Sequence, residues 1–389
     1  MKPLPWEYGL RNLGRSKTRW LLCALGGLLV VLLMLAAGAF ARGLDRALVG
    51  TAGENNVLVL GAGSEESLER SEIDAATPSL LLASVPGIRR RMGVAYISPE
   101  VQMQSVLRLR ENSPEELTAV FRGINPEAFL VHDKARLVQG RLAEPGADEV
   151  MVGALAASKL GVPAEALAVG KTIWFDRRNW DIVGRFEVRG SVLDAEIWCP
   201  LRDLQIAARR DNLSCVVMTL GDGEFEDVDL FCKRRLDLEL TAIRESDYYA
   251  HLARFYGPVR IMVWVTALLI ATAGLLGGFN TMYAAFASRV REIGALQTLG
   301  YSRRAIVLSL TQESILAALC GALPGAIVGR WLLNGMAVRF SAGAFNLTVD
   351  SAVLAIGLGA GLALGALGAI PPAIRCLRLP ISIALKANV

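Results

Sequence analysis

Arg289-Val290-Arg291-Glu292-Ile293-Gly294-Ala295-Leu296-Gln297-Thr298-Leu299-Gly300-Tyr301-Ser302-Arg303-Arg304 is a short charged stretch set between two long apolar ones. A charge-free run of 27 residues, Ile261 to Ala287, precedes it, and a largely apolar run follows from Ala305. A charged helix-forming element tied between two membrane spans has no bilayer of its own to occupy, so its natural use is to touch something soluble. Helical spacing puts Val290, Ile293 and Gln297 on one face with Gly294 beside them, and turns Arg291, Glu292 and Ala295 elsewhere. Gly300 reads as the left-handed stop of that helix, and Ser302 as the N-cap of the next. On spacing alone, an ordinary loop whose arginines hold its flanking helices in place is the preferred account of the stretch.

Composition supports membrane spans independently. The chain is 53% hydrophobic yet 20% charged, so the two kinds of residue must be segregated. A helix needs roughly 20 apolar residues to cross about 30 Å of hydrocarbon. Four windows qualify: Leu21 to Phe40, Ile261 to Ala287, Ala305 to Gly329 and Ser351 to Ile374; the third contains one ionisable residue, Glu313. The first could instead be a signal peptide cleaved after Ala37-Gly38-Ala39. An uncleaved span is preferred, because about 20 residues precede the run and its length exceeds the usual 7–15 residues. Between the first and second windows lie 218 residues, Ala41 to Pro258, of ordinary globular composition.

Charge orients the chain. The N-terminal flank, the 284–304 loop and the tail together hold twelve basic residues against Glu7 and Glu292. Short loops obey the positive-inside rule, so both termini and that loop are expected in the cytoplasm. The formal net charge of +4 averages this basic rim with a slightly acidic external domain, and nucleic-acid binding is not indicated.

The external domain reads as mixed α/β. Asn56 to Leu60, Glu149 to Gly153 and Cys215 to Leu220 are β-type runs; Ala154 to Leu160 is helix-like and stopped by Gly161. Gly170 to Phe175 and Trp180 to Gly184 read as two strands joined by a polar turn at Asp176 to Asn179. Cys199, Cys215 and Cys232 permit at most one internal disulfide, and their spacing suggests no metal site. His132 and His251 are expected as surface or packing residues. Gly170-Lys171-Thr172 ends like a phosphate-binding loop, but the motif needs glycine at position 165, where Glu165 stands. The carboxylates show no catalytic spacing and are expected as solvated surface, and no catalytic residue is assigned.

Within the apolar windows, Gly274 and Gly278 are four apart, as are Gly321, Gly325 and Gly329, and again Gly357, Gly361 and Gly365. Small residues at that interval let helices pack closely where no hydrophobic force drives them together. Glu313 is expected near the headgroups or paired within the bundle rather than as a transport-site carboxylate.

This order of parts resembles the MacB/LolC/FtsX-type permease subunits of ABC transporters. Arg289-x-Arg291-Glu292-Ile293-Gly294-x-Leu296-x-x-x-Gly300-x-Ser302 resembles the family's coupling-helix signature. Leu10-Arg11-Asn12-Leu13-x-Arg15-Ser16-Lys17-x-Arg19 resembles its amphipathic N-terminal helix, and Ala373-x-Arg375-x-x-Arg378-Leu379-Pro380-x-x-Ile383-Ala384-Leu385 its C-terminal end. Glu149 to Gly153 followed by Gly170 to Gly184 is similar to the MacB-type periplasmic domain. The combination turns the reading of 289–304 from loop to coupling element.

The resemblance implies a four-span helical membrane protein of the bacterial inner membrane. Its parts are a cytoplasmic amphipathic segment (1–19), a span (20–40), an extracytoplasmic MacB-like α/β domain (41–258) and a second span (259–287). A cytoplasmic coupling helix and loop (288–304), a span (305–333), a short external loop (334–350), a span (351–374) and a cytoplasmic tail (375–389) follow. It also implies a non-catalytic subunit that binds no cofactor. ATP and Mg belong to a separate ATP-binding subunit, expected in two copies, that meets Arg289, Arg291, Glu292, Ile293, Gly294, Leu296 and Gly300. Further implied partners are a second copy or a paralogue, a periplasmic adaptor of the membrane-fusion type, and membrane lipid. The function implied is export by mechanotransmission, the passing of ATP-driven motion through the spans to the external domain. A membrane-anchored receptor or scaffold acting without transport is the alternative.

Overall fold

A computed structural model describes residues 17–341 and 343–386. Most of the N-terminal motif, Leu10 to Ser16, lies outside the described residues. The chain divides into two compact units: one takes in residues up to Arg42, Pro258–Met336 and Leu347 onward, the other Gly43–Gly257 with Ala337–Asn346.

The helices of the first unit are α1 (Lys17–Val49), α2 (Gly257–Ala287), α3 (Val290–Thr298), α4 (Arg303–Leu333), α5 (Ser351–Leu377) and α6 (Ile381–Lys386). Four of them, all but α3 and α6, are long and apolar enough to cross a membrane. α1 runs nine residues past the expected end of the first span. Ala41, Leu44, Ala47 and Leu48 recur at helical spacing and are buried, so the helix continues as an amphipathic one after its apolar run stops. At 33 residues it measures about 50 Å, well beyond the hydrocarbon thickness of about 30 Å. α5 starts where the Asp350 carboxylate accepts the Val353 N–H at 2.9 Å.

The second unit is built on a ten-stranded sheet. Its strands are β1 (Asn56–Gly61), β2 (Ile97–Leu107), β3 (Leu117–Ile124), β4 (Ala135–Gly140) and β5 (Glu149–Gly153). β6 (Thr172–Phe175), β7 (Arg178–Val188), β8 (Ile197–Pro200), β9 (Cys215–Thr219) and β10 (Leu240–Arg244) complete it. The order is β10-β1-β9-β2-β3-β8-β5-β7-β4, with β6 hydrogen-bonded to β7. β2 joins the two halves: its start pairs with β9 (Ile97 opposite Met218) and its remainder with β3 (Val101 opposite Gly123 through Leu107 opposite Leu117). β1, β5 and β9 are buried along their whole length, which explains their unbroken apolar character. The β6–β7 turn is tighter than the expected 176–179: Asp176 and Arg177 both have positive φ, 47° and 61°, the geometry of a two-residue hairpin. Gly161 stops the helix Ala156–Leu160 at φ 76°. Stacked rings, Phe121 on Phe175 and Phe186 on Trp198, each with centroids 4.2 Å apart, fill the core. Cys199, Cys215 and Cys232 are buried free thiols, so the cross-link that the sequence allows is not formed.

The stretch expected as a short external loop at 334–350 contains a hairpin, β11 (Ala337–Phe340) and β12 (Gly343–Asn346), that belongs to the α/β unit. Lys159, on the helix Ala156–Leu160, donates to the carbonyls of Phe340 and Ser341. The Tyr256 hydroxyl lies 2.7 Å from Ser341 Oγ, and its ring meets Phe340 edge-on at 5.2 Å.

Candidate functional site

α3 is a nine-residue amphipathic helix whose inner face, Val290, Ile293 and Gly294, is buried. Val290 and Ile293 join a core with Met282 and Phe286 of α2, Ile306 and Leu310 of α4, Ala373 and Leu377 of α5 and Ala384 of α6. The helix is therefore seated on the ends of its neighbours. Its stop and the next start are as the residues demand: Gly300 has φ 87°, and Ser302 Oγ accepts the Ala305 N–H at 3.3 Å.

Arg289, just ahead of α3, points inward. Its Nε lies 3.2 Å from Glu292, and its Nη1 lies 3.2 and 3.1 Å from the two carboxylate oxygens of Glu313. The Arg289 and Glu313 side chains are 11% and 5% exposed. A lone carboxylate ten residues into an apolar helix would be costly, and the guanidinium offsets that cost. Glu313 is thus paired within the bundle.

The other residues assigned to coupling divide into two sets. A methyl group on Gly294 would stand 3.1 Å from Ala384 Cβ and against Leu385, and Arg291 Nε donates to the Leu385 carbonyl at 3.1 Å. The C-terminal motif thus seats on the coupling motif, and Gly294 and Ile293 serve that internal contact rather than facing outward. Leu296 is half-buried against the same core. The outward face is Arg291, Ala295, Thr298 and Leu299, with Glu292 partly exposed and Gly300 at its end. Leu299, not singled out from the sequence, is 74% exposed.

Most of the spaced glycines form a seam for α1, while Gly365 packs on α4. A methyl on Gly321 would run into the Ala24 carbonyl, one on Gly325 would come 2.9 Å from Leu28 O, and one on Gly329 2.7 Å from Leu35. Gly357 and Gly361 meet Leu35 and Val31 at 2.9 Å, Gly365 meets Ala318 at 3.0 Å, and Gly274 meets Val30 at 3.1 Å. Gly278 differs, since nothing lies within 4 Å of a methyl built there. It borders an apolar cavity of about 300 Å³ between α1, α2, α4 and α5.

In the α/β unit the carboxylates are not all solvated. Arg122 on β3 donates from Nε and Nη2 to Glu196 at 2.6 and 2.7 Å and from Nη1 to Glu100 at 2.6 Å. Glu100 also meets His132 Nε2 at 2.8 Å, and Trp198 Nε1 donates to Glu196 at 2.8 Å. All five are buried. Burial alone would raise the Glu100 pKa, but the charges and hydrogen bonds of His132 and Arg122 outweigh it and bring it down to about 2. Burial likewise opposes a charge on His132, and Glu100 prevails and raises its pKa. His132 is a packing residue, as expected, and it is paired with a buried carboxylate. Arg122 and Glu196 border a cavity of about 230 Å³ with Gln102, Tyr248 and Tyr249. The guanidinium is already held by two carboxylates, so the arrangement ties β2, β3 and β8 together. The one sequence signal for it was a lone arginine in the apolar run Leu117–Ile124.

Four helices long and apolar enough to cross a membrane, a short helix seated on their ends and a large α/β unit inserted after the first helix define the class of architecture. The MacB-like periplasmic core domain matches residues 20–227, more than half the chain, and the FtsX-like permease C-terminal domain matches residues 264–381. The chain belongs to the MacB/FtsX-like ABC transporter permeases. A curated relative, the uncharacterized ABC transporter permease YknZ of Bacillus subtilis (strain 168), is 21% identical over 287 residues, 68% of this chain and 69% of the relative. Among solved structures, the periplasmic region of MacB from Actinobacillus actinomycetemcomitans gives a TM-score of 0.39 at 14% identity, covering 52% of this chain and 95% of that one. The extracellular domain of the noncanonic ABC-type transporter YknZ from Gram-positive bacteria gives 0.35 at 15% identity, covering 49% and 100%.

Proposed function

We infer that this chain is the membrane subunit of a MacB-type ABC exporter, sitting in the bacterial inner membrane with both termini and α3 in the cytoplasm. A separate ATPase, holding ATP and Mg, docks on α3, and its closure moves the α/β unit, which does mechanical work on a substrate or an adaptor outside. The observation that carries this reading is the way α3 is held. Its inner face is locked to four other helices and by the Arg289–Glu313 pair, while Arg291, Ala295, Thr298 and Leu299 stay open. A rigidly seated element with a free face passes displacement on; a floppy loop would absorb it.

The chain crosses between the two units four times, after Arg42, Gly257, Met336 and Asn346, so each of the four long helices leads into the α/β unit. That connectivity suits transmission of movement. α2 leaves Ile261, Met262, Leu268, Leu269 and Leu276 exposed, a face suited to lipid or to a second copy of the permease.

The test is Leu299→Asp in the complex reconstituted with its ATPase. An exposed site of this kind changes stability by about 0.5 kcal/mol or less, so expression and elution should match the parent. If the ATPase packs there, burying a carboxylate should weaken binding about tenfold or more and lower coupled ATP hydrolysis in step. Unchanged binding and turnover in both Leu299→Asp and Arg291→Glu would return α3 to the role of an ordinary loop.

A further inference from the structure

The start of α4 and the end of α5 run side by side and leave a groove of about 480 Å³. Its walls are Val307, Leu308 and Thr311 on α4 and Ile370, Ile374 and Leu377 on α5, each set on one face of its helix. Leu308 is 60% and Ile374 40% exposed, so the apolar wall is open along its length. From Arg303 to Thr311 the groove extends about 12 Å, close to the depth of one hydrocarbon leaflet.

Three arginines stand at one end of it: Arg303 and Arg304 open α4, and Arg378 follows the last residue of α5. All three are exposed, and none has a carboxylate partner among the described residues. Arg375, close by in sequence, is differently engaged, with its guanidinium 5.3 Å from the Tyr283 ring centre. An apolar channel of leaflet depth capped by a cluster of cations matches one chemistry, a hydrocarbon chain attached to an anionic headgroup. A soluble partner protein supplies no long chain for the channel, and a zwitterionic lipid carries no net negative charge for the arginines.

We propose that this groove is a binding site for an anionic glycerophospholipid of the cytoplasmic leaflet, with its phosphate against Arg303, Arg304 and Arg378 and one acyl chain along Leu308 and Ile374. The leaflet follows from the orientation argued under the proposed function; the site itself does not depend on the ATPase. The site lies directly after the α3 stop at Gly300, so an occupied groove would also brace the helix that the ATPase meets.

The experiment uses the purified full chain without ATPase, exchanged into nanodiscs or mixed micelles of equal phosphatidylglycerol and phosphatidylethanolamine. Retained lipid is counted by native mass spectrometry. The parent should carry phosphatidylglycerol in clear excess. Arg378→Gln should lower that excess roughly fivefold, the worth of about one basic residue near an anionic surface. The triple variant Arg303→Gln, Arg304→Gln, Arg378→Gln should abolish it while leaving phosphatidylethanolamine carriage unchanged. Ile374→Trp, which keeps every arginine but fills the channel, should lose the lipid as well, and it decides the matter if the triple variant does not fold. No excess in the parent, an undiminished excess in Arg378→Gln, or full retention by Ile374→Trp overturns the proposal. Displacement of the lipid by millimolar inorganic phosphate also overturns it, in favour of a free-anion site. Unchanged ATPase binding and turnover in Leu299→Asp with the lipid excess intact would count against the ATPase contact alone.

Discussion

Arg122 is one charge in a strand that otherwise reads Leu-Thr-Ala-Val-Phe-x-Gly-Ile, and its cost is met only by Glu196 and Glu100 together. Replacing it by methionine keeps the volume but leaves two buried carboxylates facing each other. Arg122→Met should therefore destabilise the α/β unit by roughly 3–5 kcal/mol, read as a fall in the midpoint of denaturant unfolding. The His132–Glu100 pair adds a pH signature. The Glu100 pKa is depressed from 4.5 to about 2, so its contribution is present above 4.5 and fades as pH falls towards 2. The His132 pKa is raised from 6.5, so its contribution is complete below 6.5 and is lost as pH rises through the raised folded value. Thermal unfolding across pH 4 to 9 should show the pair's contribution greatest between about 4.5 and 6.5, declining on both sides. His132→Gln should flatten the alkaline decline; an identical alkaline limb in that variant would remove His132 from the account. None of these partners was legible in the sequence. Glu100 and Glu196 stand 22 and 74 positions from Arg122, and only the sheet order places β2, β3 and β8 side by side.

Among the elements, the local features are legible in the sequence. The apolar runs, the strands at 56, 149 and 215, the Gly300 stop and the Ser302 cap each depend on a few adjacent residues. The inner and outer faces of α3 also follow from spacing, but what covers the inner face does not. Its cover is α6, about 90 residues away, and that contact changes what Gly294 is for. Gly294→Leu should push α6 off α3 and lower the stability of the bundle even without the ATPase, whereas Leu299→Asp should not. Scanning fluorimetry of the isolated subunit separates the two. The glycine seam gives a similar contrast. Gly321→Ala has a backbone carbonyl in its way and should cost about 1–3 kcal/mol, or fail to accumulate. Gly278→Ala meets open space and should be close to neutral. Equal melting points for the two variants would mean that α1 does not pack against α4 along the seam. Spacing alone treats both glycines alike, since a four-residue interval does not say which one faces a helix and which a cavity.

For the whole molecule, orientation is the first thing to measure. In a cysteine-free background, single cysteines near Ser64 and Asn346 should react with impermeant maleimide once the outer membrane is permeabilised, and one at Thr298 should not. Labelling of Thr298 from outside would reverse the topology and remove the coupling argument. The exposed Cys320 is the native thiol to replace first, since Cys199, Cys215 and Cys232 are buried and burial raises their pKa values. The hairpin β11–β12 has a consequence for synthesis. It is the last piece of the α/β unit, yet residues 258–336 separate it from the rest. A ribosome adding about 5–20 residues per second needs roughly 4–16 s to cover that gap. For that interval Lys159 lacks the two carbonyls it ends up holding, and Tyr256 lacks its ring and hydroxyl partners. The α/β unit is thus finished only when the third long helix has been made, and a nascent chain arrested before Ala337 should be cut by protease near Lys159 where the full-length chain is protected.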